Sequence, residues 1–181
     1  MVIRPLQFNL ILLLAFALLV AGCKTSKSDP DKMIATLRVH LETNPLHGDR
    51  SERICVLRSS PVWITIDKYP FLSEAHLHSA RVIETDDGHV ISLKFNQQGE
   101  RLLEQYSANN SYRRFAIRSQ FRLGTNVFDR WIAAPVIPGR IASGTITFTP
   151  DADRTESDEM VRGWNNAAGY KPETTFSEVP E

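Results

Sequence analysis

Twelve apolar residues stand in a row from Leu10 to Ala21, and no other stretch of the chain approaches that length. A helix that spans a bilayer needs about 20 apolar residues, whereas the core of a signal peptide needs roughly 7–15. Gln7 and Asn9 interrupt any longer run, and Arg4 is the only charge before Lys24. Residues 1–22 therefore read as a signal peptide, and everything after them must fold outside the hydrocarbon layer.

The run ends in Val20-Ala21-Gly22-Cys23, which resembles the lipobox of bacterial lipoproteins. Small residues ahead of the cysteine give a peptidase access to the backbone, and the Cys23 thiol is the nucleophile that accepts diacylglycerol. Two or three acyl chains anchor durably where a single chain holds only marginally. Lys24 follows the cysteine where an aspartate would resemble an inner-membrane retention signal. The resemblance thus implies a lipid on Cys23 and an outer-membrane position facing the periplasm.

Cleavage before Cys23 leaves 159 residues with 20 basic and 21 acidic side chains. So even a balance excludes a nucleic-acid binder that lives on a basic surface. Two cysteines exclude a disulfide scaffold and any cysteine-rich metal module. With Cys23 consumed by lipid, Cys55 has no partner within the chain. Its apolar neighbours Ile54, Val56 and Leu57 predict a buried structural thiol.

Residues 23–32 are polar and read as a tether, 33–70 as a β-rich segment, 71–168 as an α+β domain, and 169–181 as a disordered tail. Strands are expected over 36–43, 54–57 and 62–66, and Ser73 caps a short helical turn. Asp86-Asp87-Gly88 sits between 81–84 and 89–95 as a hairpin signal. Asn96 then caps a helix to about Ala108, with Leu102, Leu103 and Tyr106 as its apolar stripe. Further strands are expected over 114–122, 131–137 and 145–149, with Pro135 marking an edge or a bulge. A helix over 151–168 turns Met160, Val161 and Trp164 inward. This order predicts an α+β fold with helices on an antiparallel-rich sheet, and Phe95, Leu103, Ile117 and Trp164 in one core.

Four blocks then resemble a known family in the same order. Val90-Ile91-Ser92-Leu93-Lys94-Phe95-Asn96-Gln97-Gln98-Gly99-Glu100-Arg101-Leu102-Leu103 is similar to the strand-into-helix start of the first periplasmic (head) domain of SecD, the protein-export subunit. Arg114-Phe115-Ala116-Ile117, Ile132-Ala133-Ala134-Pro135-Val136-Ile137 and Gly144-Thr145-Ile146-Thr147-Phe148-Thr149 resemble its later strands. The resemblance implies a module that contacts an exported polypeptide or another envelope protein. It does not extend to proton-driven translocation, because the six membrane helices of that family have no counterpart in this sequence.

Candidate chemistry is sparse. Glu74, His76, His78 and His89 lie near one another in sequence, but histidines two apart face opposite ways on a strand, so solvated side chains are expected and no metal. Ser59, Ser60 and Ser143 lack a nucleophile elbow, and no phosphate-cradling glycine loop or dinucleotide fingerprint occurs. No cofactor is expected. Arg113, Arg114, Arg118 and Arg122 form a basic stripe on one strand, read as solvated or ion-paired and, failing that, as a surface for an anionic partner. The expectation is a non-enzymatic envelope lipoprotein that binds protein through Arg114, Arg118 and Arg122. The alternative is an envelope hydrolase or metal-dependent enzyme on an unfamiliar α+β fold.

Overall fold

The computed structural model describes residues 33–58 and 60–170. The signal peptide, Cys23, the tether over 23–32 and the tail beyond Tyr170 lie outside the described residues.

Among the described residues nine strands and two α-helices are formed: β1 Thr36–Leu41, β2 Ser51–Val56, β3 Val62–Asp67, β4 Leu72–Ser73, β5 Leu77–Thr85, β6 Gly88–Phe95, α1 Gln97–Asn109, β7 Phe115–Leu123, β8 Asn126–Ala133, β9 Thr145–Phe148 and α2 Arg154–Ala168. They make a four-stranded sheet in the order β4-β1-β7-β8, a three-stranded sheet β5-β6-β9 and the hairpin β2-β3. Each strand pairing is antiparallel. The fold is α+β, as expected.

One core joins the two larger sheets and both helices. Period-two alternation sends Leu37 and Val39 of β1, Ile117 and Phe121 of β7, and Leu93 and Phe95 of β6 inward. Leu103 of α1 and Met160, Val161 and Trp164 of α2 meet them there, so the four residues assigned to one core do share it. Because β1 pairs along its whole length with β7, the segment before Phe71 contributes a strand to a sheet of the unit after it.

Local chemistry sets the element ends. The Asn96 side chain accepts the Gly99 N–H at 2.9 Å and starts α1. Asp153 accepts the Glu156 N–H at 2.8 Å while Glu156 reaches back to the Asp153 N–H at 3.2 Å, a reciprocal cap that starts α2 at Arg154. Gly169 closes α2 with φ 70°, a left-handed conformation that glycine adopts without a Cβ penalty. Gly163 lets α2 approach the chain before β1: a Cβ there would lie 2.6 Å from the Cβ of Ala35.

Two expectations need correction. The strand predicted over 131–137 runs instead from Asn126 to Ala133, because Gly124, at φ 60°, turns β7 directly back on itself. It stops short of Pro135, beyond which Val136 makes only an isolated bridge to Arg114. Cys55 is exposed rather than buried. It lies opposite Trp63, while Ile54 and Val56 on either side point inward. An apolar setting in sequence is not an apolar setting in space when neighbours alternate faces.

The β2–β3 hairpin has a core of its own. Ile54, Val56, Ile64 and Ile66 cover Ala116 of β7 and Ala134, on the face opposite the main core. Two alanines there leave room for the hairpin to sit directly on the sheet.

Candidate functional site

Only part of the outer face of β1-β7-β8 is covered by the hairpin. The remainder holds a shallow depression of about 350 Å³ lined by Thr36, Arg38, His40, Arg118, Gln120 and Asp129. Arg118 and Arg122 share one face of β7 and Arg114 stands just ahead of the strand, but the fold treats the three differently. Arg114 donates to the Ala134 carbonyl at 2.9 Å, which ties β7 to the segment after β8. Arg118 forms a two-pronged pair with Asp129 across the β7–β8 hairpin, at 2.8 and 2.9 Å. That carboxylate holds the Arg118 guanidinium above its ordinary pKa. Arg122 is exposed and has no partner among the described residues. The predicted stripe is thus one structural arginine, one neutralised arginine and one free cation.

His40, which the sequence did not single out, lies under this face. Its ring meets Trp131 edge-on with centroids 5.1 Å apart, and Nδ1 donates to the Asp67 carbonyl at 2.9 Å. Burial, aided by the Arg118 cation, holds the imidazole below 6.5, against the hydrogen bond to Asp67 and the carboxylates of Asp67 and Glu52. A folded-state pKa below the unfolded one means that the unfolded chain binds the proton first. Stability is therefore intact above 6.5 and declines as pH falls from there toward the folded value. Melting temperatures measured between pH 8 and 5 should show this decline, and His40→Asn, which offers an amide to Asp67 without titrating, should remove it. Parallel curves for the two proteins would contradict the assignment.

The histidine and acid cluster disperses. Glu74 accepts the Leu37 N–H at 3.0 Å and pairs with Arg38, His76 accepts the Ser73 N–H at 3.1 Å, and His89 meets the Ser157 hydroxyl at 2.9 Å. Among the described residues no group of three or more His, Cys, Asp or Glu is placed to hold a metal.

A charge cluster built on a buried ion pair escaped the sequence reading. Arg130 grips Glu156 at 3.0 and 2.5 Å, and Arg58 joins Asp151 and Glu156 at 3.3 and 3.7 Å. It fastens the start of α2 to β8 and to the end of the β2–β3 hairpin. Only the spacing of Asp153 and Glu156 signalled part of it.

Residues 51–162, more than half of the chain, match the family model of the SecDF P1 head subdomain. The chain belongs to the SecDF P1 head subdomain family. The match starts at β2 and so takes in the β2–β3 hairpin, which lies ahead of the four blocks that carry the resemblance, the first of them at Val90. Among solved structures, a membrane component SecDF described as enhancing protein export is 18% identical, with TM-score 0.50 over 74% of this chain and 63% of that one. SecDF in its super-membrane-facing form is also 18% identical, with TM-score 0.47 over 73% of this chain and 19% of that one. This chain spans less than two thirds of the length of either structure, and at such identity the likeness is one of fold. No curated protein matches the chain.

Proposed function

We propose that this chain is a non-enzymatic lipoprotein of the bacterial envelope, anchored through Cys23, whose SecD head-like domain binds a protein partner or an exported polypeptide. The observation that carries the reading is the SecDF P1 head match over residues 51–162. Protein export is the process named for the solved SecDF structure of similar fold. The anchor rests on Val20-Ala21-Gly22-Cys23, and Lys24 favours the outer membrane, periplasmic face. Among the described residues no helix is long and apolar enough to cross a membrane, which fits attachment by lipid. Arg122 is the member of the arginine stripe with charge left to offer a partner, and Arg114 and Arg118 hold the strand that presents it.

Fractionation of cells making the wild type or Cys23→Ala tests the anchor. Fatty-acid label and membrane partition should both be lost in the variant; identical partition without label in either protein would exclude lipidation. Photocrosslinking from a surface position beside Arg122 in living cells tests the binding reading. Crosslinks to polypeptides in export, weakened by Arg122→Glu and by rising salt, are expected. An absence of protein crosslinks from every surface of the domain would remove the proposal.

A further inference from the structure

The edge strands of the two larger sheets are blunted in recognisable ways, with one exception. An unpaired sheet edge is a template for another strand, and proteins blunt it with short strands, charges or covering groups. β4 is only two residues long. At β5 the Asn165 side chain takes the place of a strand at Ala80, accepting its N–H at 2.7 Å and donating to its carbonyl at 2.9 Å, and α2 packs against the strand. β8 gives its Ile132 carbonyl to the Asp151 N–H at 2.7 Å and carries the ion-paired Asp129 and Arg130.

β9 has no such device. The Phe95 N–H donates to the Gly144 carbonyl at 2.9 Å, and the register continues as Lys94 opposite Thr145 and Leu93 opposite Ile146. Bonding direction alternates along an antiparallel strand, so Gly144, Ile146 and Phe148 address β6. The N–H and C=O of Thr145 and Thr147 then point away from it. They have no hydrogen-bond partner among the described residues.

The space beside that edge is shaped for side chains. An apolar groove of about 260 Å³ runs along β9, walled by Phe115, Pro135, Val136, Pro138 and Ile141. Val136 is 48% exposed there. The wall cannot itself complete the sheet: Pro135 and Ile137 spend their backbone groups on Phe115, Arg113 and Tyr112, and the prolines have no N–H to give. On the outer face of the same sheet, a second hollow of about 400 Å³ is lined by His78, Arg81, Lys94, Thr145 and Tyr170. Arg81 and Lys94 are exposed there and have no ion-pair partner among the described residues.

We infer that β9 is the docking edge for an extended segment of another polypeptide in which apolar and acidic residues alternate. A strand hydrogen-bonded to Thr145 and Thr147 sends successive side chains to opposite faces. One set enters the groove against Val136 and Ile141, and the other lies over the outer face toward Lys94 and Arg81. Lys94 stands two strand spacings away, about 10 Å, which lysine and glutamate side chains span together. Charge also argues against a second copy as the occupant. Symmetric pairing of two β9 edges would bring Lys94 and Arg81 only the threonines of a second β9 and no carboxylate to meet them. The inference rests on the polypeptide-binding reading and gives it a site, a binding mode and a sequence preference.

The test uses the full chain purified in detergent and a fluorescent peptide of alternating valine and glutamate, followed by anisotropy. Thr147→Pro deletes the outward N–H, a change that edge strands accept. Val136→Glu charges the groove without touching the β9 backbone. Each should weaken the peptide about tenfold, the scale of one lost backbone hydrogen bond together with a spoiled contact, at an unchanged melting temperature. A valine–lysine peptide should bind about tenfold less well than the valine–glutamate one, since its charge opposes Lys94. Slowed amide exchange at Thr145 and Thr147 of the wild type on adding peptide is expected as well, and needs no variant. Equal affinity across folded variants, or exchange at Thr145 and Thr147 unmoved by saturating peptide, overturns the inference. So does a dimer that Thr147→Pro dissolves, or a gain in peptide affinity on removing residues 171–181, because each names a different occupant. Cellular crosslinks beside Arg122 that persist unchanged in Thr147→Pro overturn the β9 site alone and leave the broader reading standing.

Discussion

Trp164→Ala should lower the stability of the domain by about 3–5 kcal/mol, the range for removing a buried tryptophan. Trp164 is fully buried in α2, in the core shared by both larger sheets. Its indole Nε1 donates to the Thr36 carbonyl at 2.9 Å and lies 3.2 Å from the Ser119 hydroxyl. One side chain therefore ties α2 to β1 and β7 by packing and by hydrogen bond together. Trp164→Phe separates the two contributions. It keeps most of the apolar volume, and the Ser119 hydroxyl still donates to the Thr36 carbonyl at 2.9 Å. That carbonyl is not orphaned, so the loss should be about 1–2 kcal/mol. Urea unfolding of both variants gives the comparison. Equal, small losses would mean that α2 is not seated on β1 and β7 as described.

The same residue shows how far the sequence could be read. Helical spacing of Met160, Val161 and Trp164 pointed to the buried face of α2, and alternation in β6 and β7 pointed to Phe95 and Ile117. Those signals are local, and the core follows from them. The outer face of β7 was less legible because its fate depends on the β2–β3 hairpin, some fifty residues earlier in the chain. Ala116 and Ala134 carry no strong signal of burial, yet the hairpin covers both. Cys55 was misplaced for a related reason: a strand with one covered face leaves every second residue outside, however apolar its neighbours.

The arginine stripe was visible as composition but not as charge. Arg118 meets Asp129 only because the turn at Gly124 sets the register of β7 against β8, with Arg118 near Trp131 and Gln120 opposite Asp129. Register is a property of pairing and cannot be read from one strand. The open edge of β9 was hidden for the same reason. Pro135 signalled an irregular edge nearby, but the sequence did not say which strand would be left beside it without a partner.

Loss of the Glu156 carboxylate should be nearly as damaging as loss of Trp164. Glu156 is buried and held by Arg130 at 3.0 and 2.5 Å, and it also accepts the Asp153 N–H that begins α2. Arg130 is mostly buried itself, flanked by the rings of Phe121 and Phe128 at 5.4 and 5.9 Å, and its Nε already lacks a hydrogen-bond partner. Glu156→Ala strands that cation in an apolar setting and removes half of the cap, so about 3 kcal/mol or more should be lost. Glu156→Gln retains an acceptor for the Asp153 N–H and should lose less. The two variants should also differ from the wild type in acid. The hydrogen bond from Arg130 is the main reason that the Glu156 carboxyl sits below its ordinary 4.5, with the Asp153 N–H acting in the same direction and burial opposing both. A folded-state pKa below the unfolded one gives stability that is complete above 4.5 and disappears as pH falls through the folded value. Urea midpoints taken at descending pH below 5 should therefore fall more steeply for the wild type than for Glu156→Gln, so that the gap between them narrows. A gap that stays constant through this range would mean that the carboxylate is not the charge Arg130 depends on.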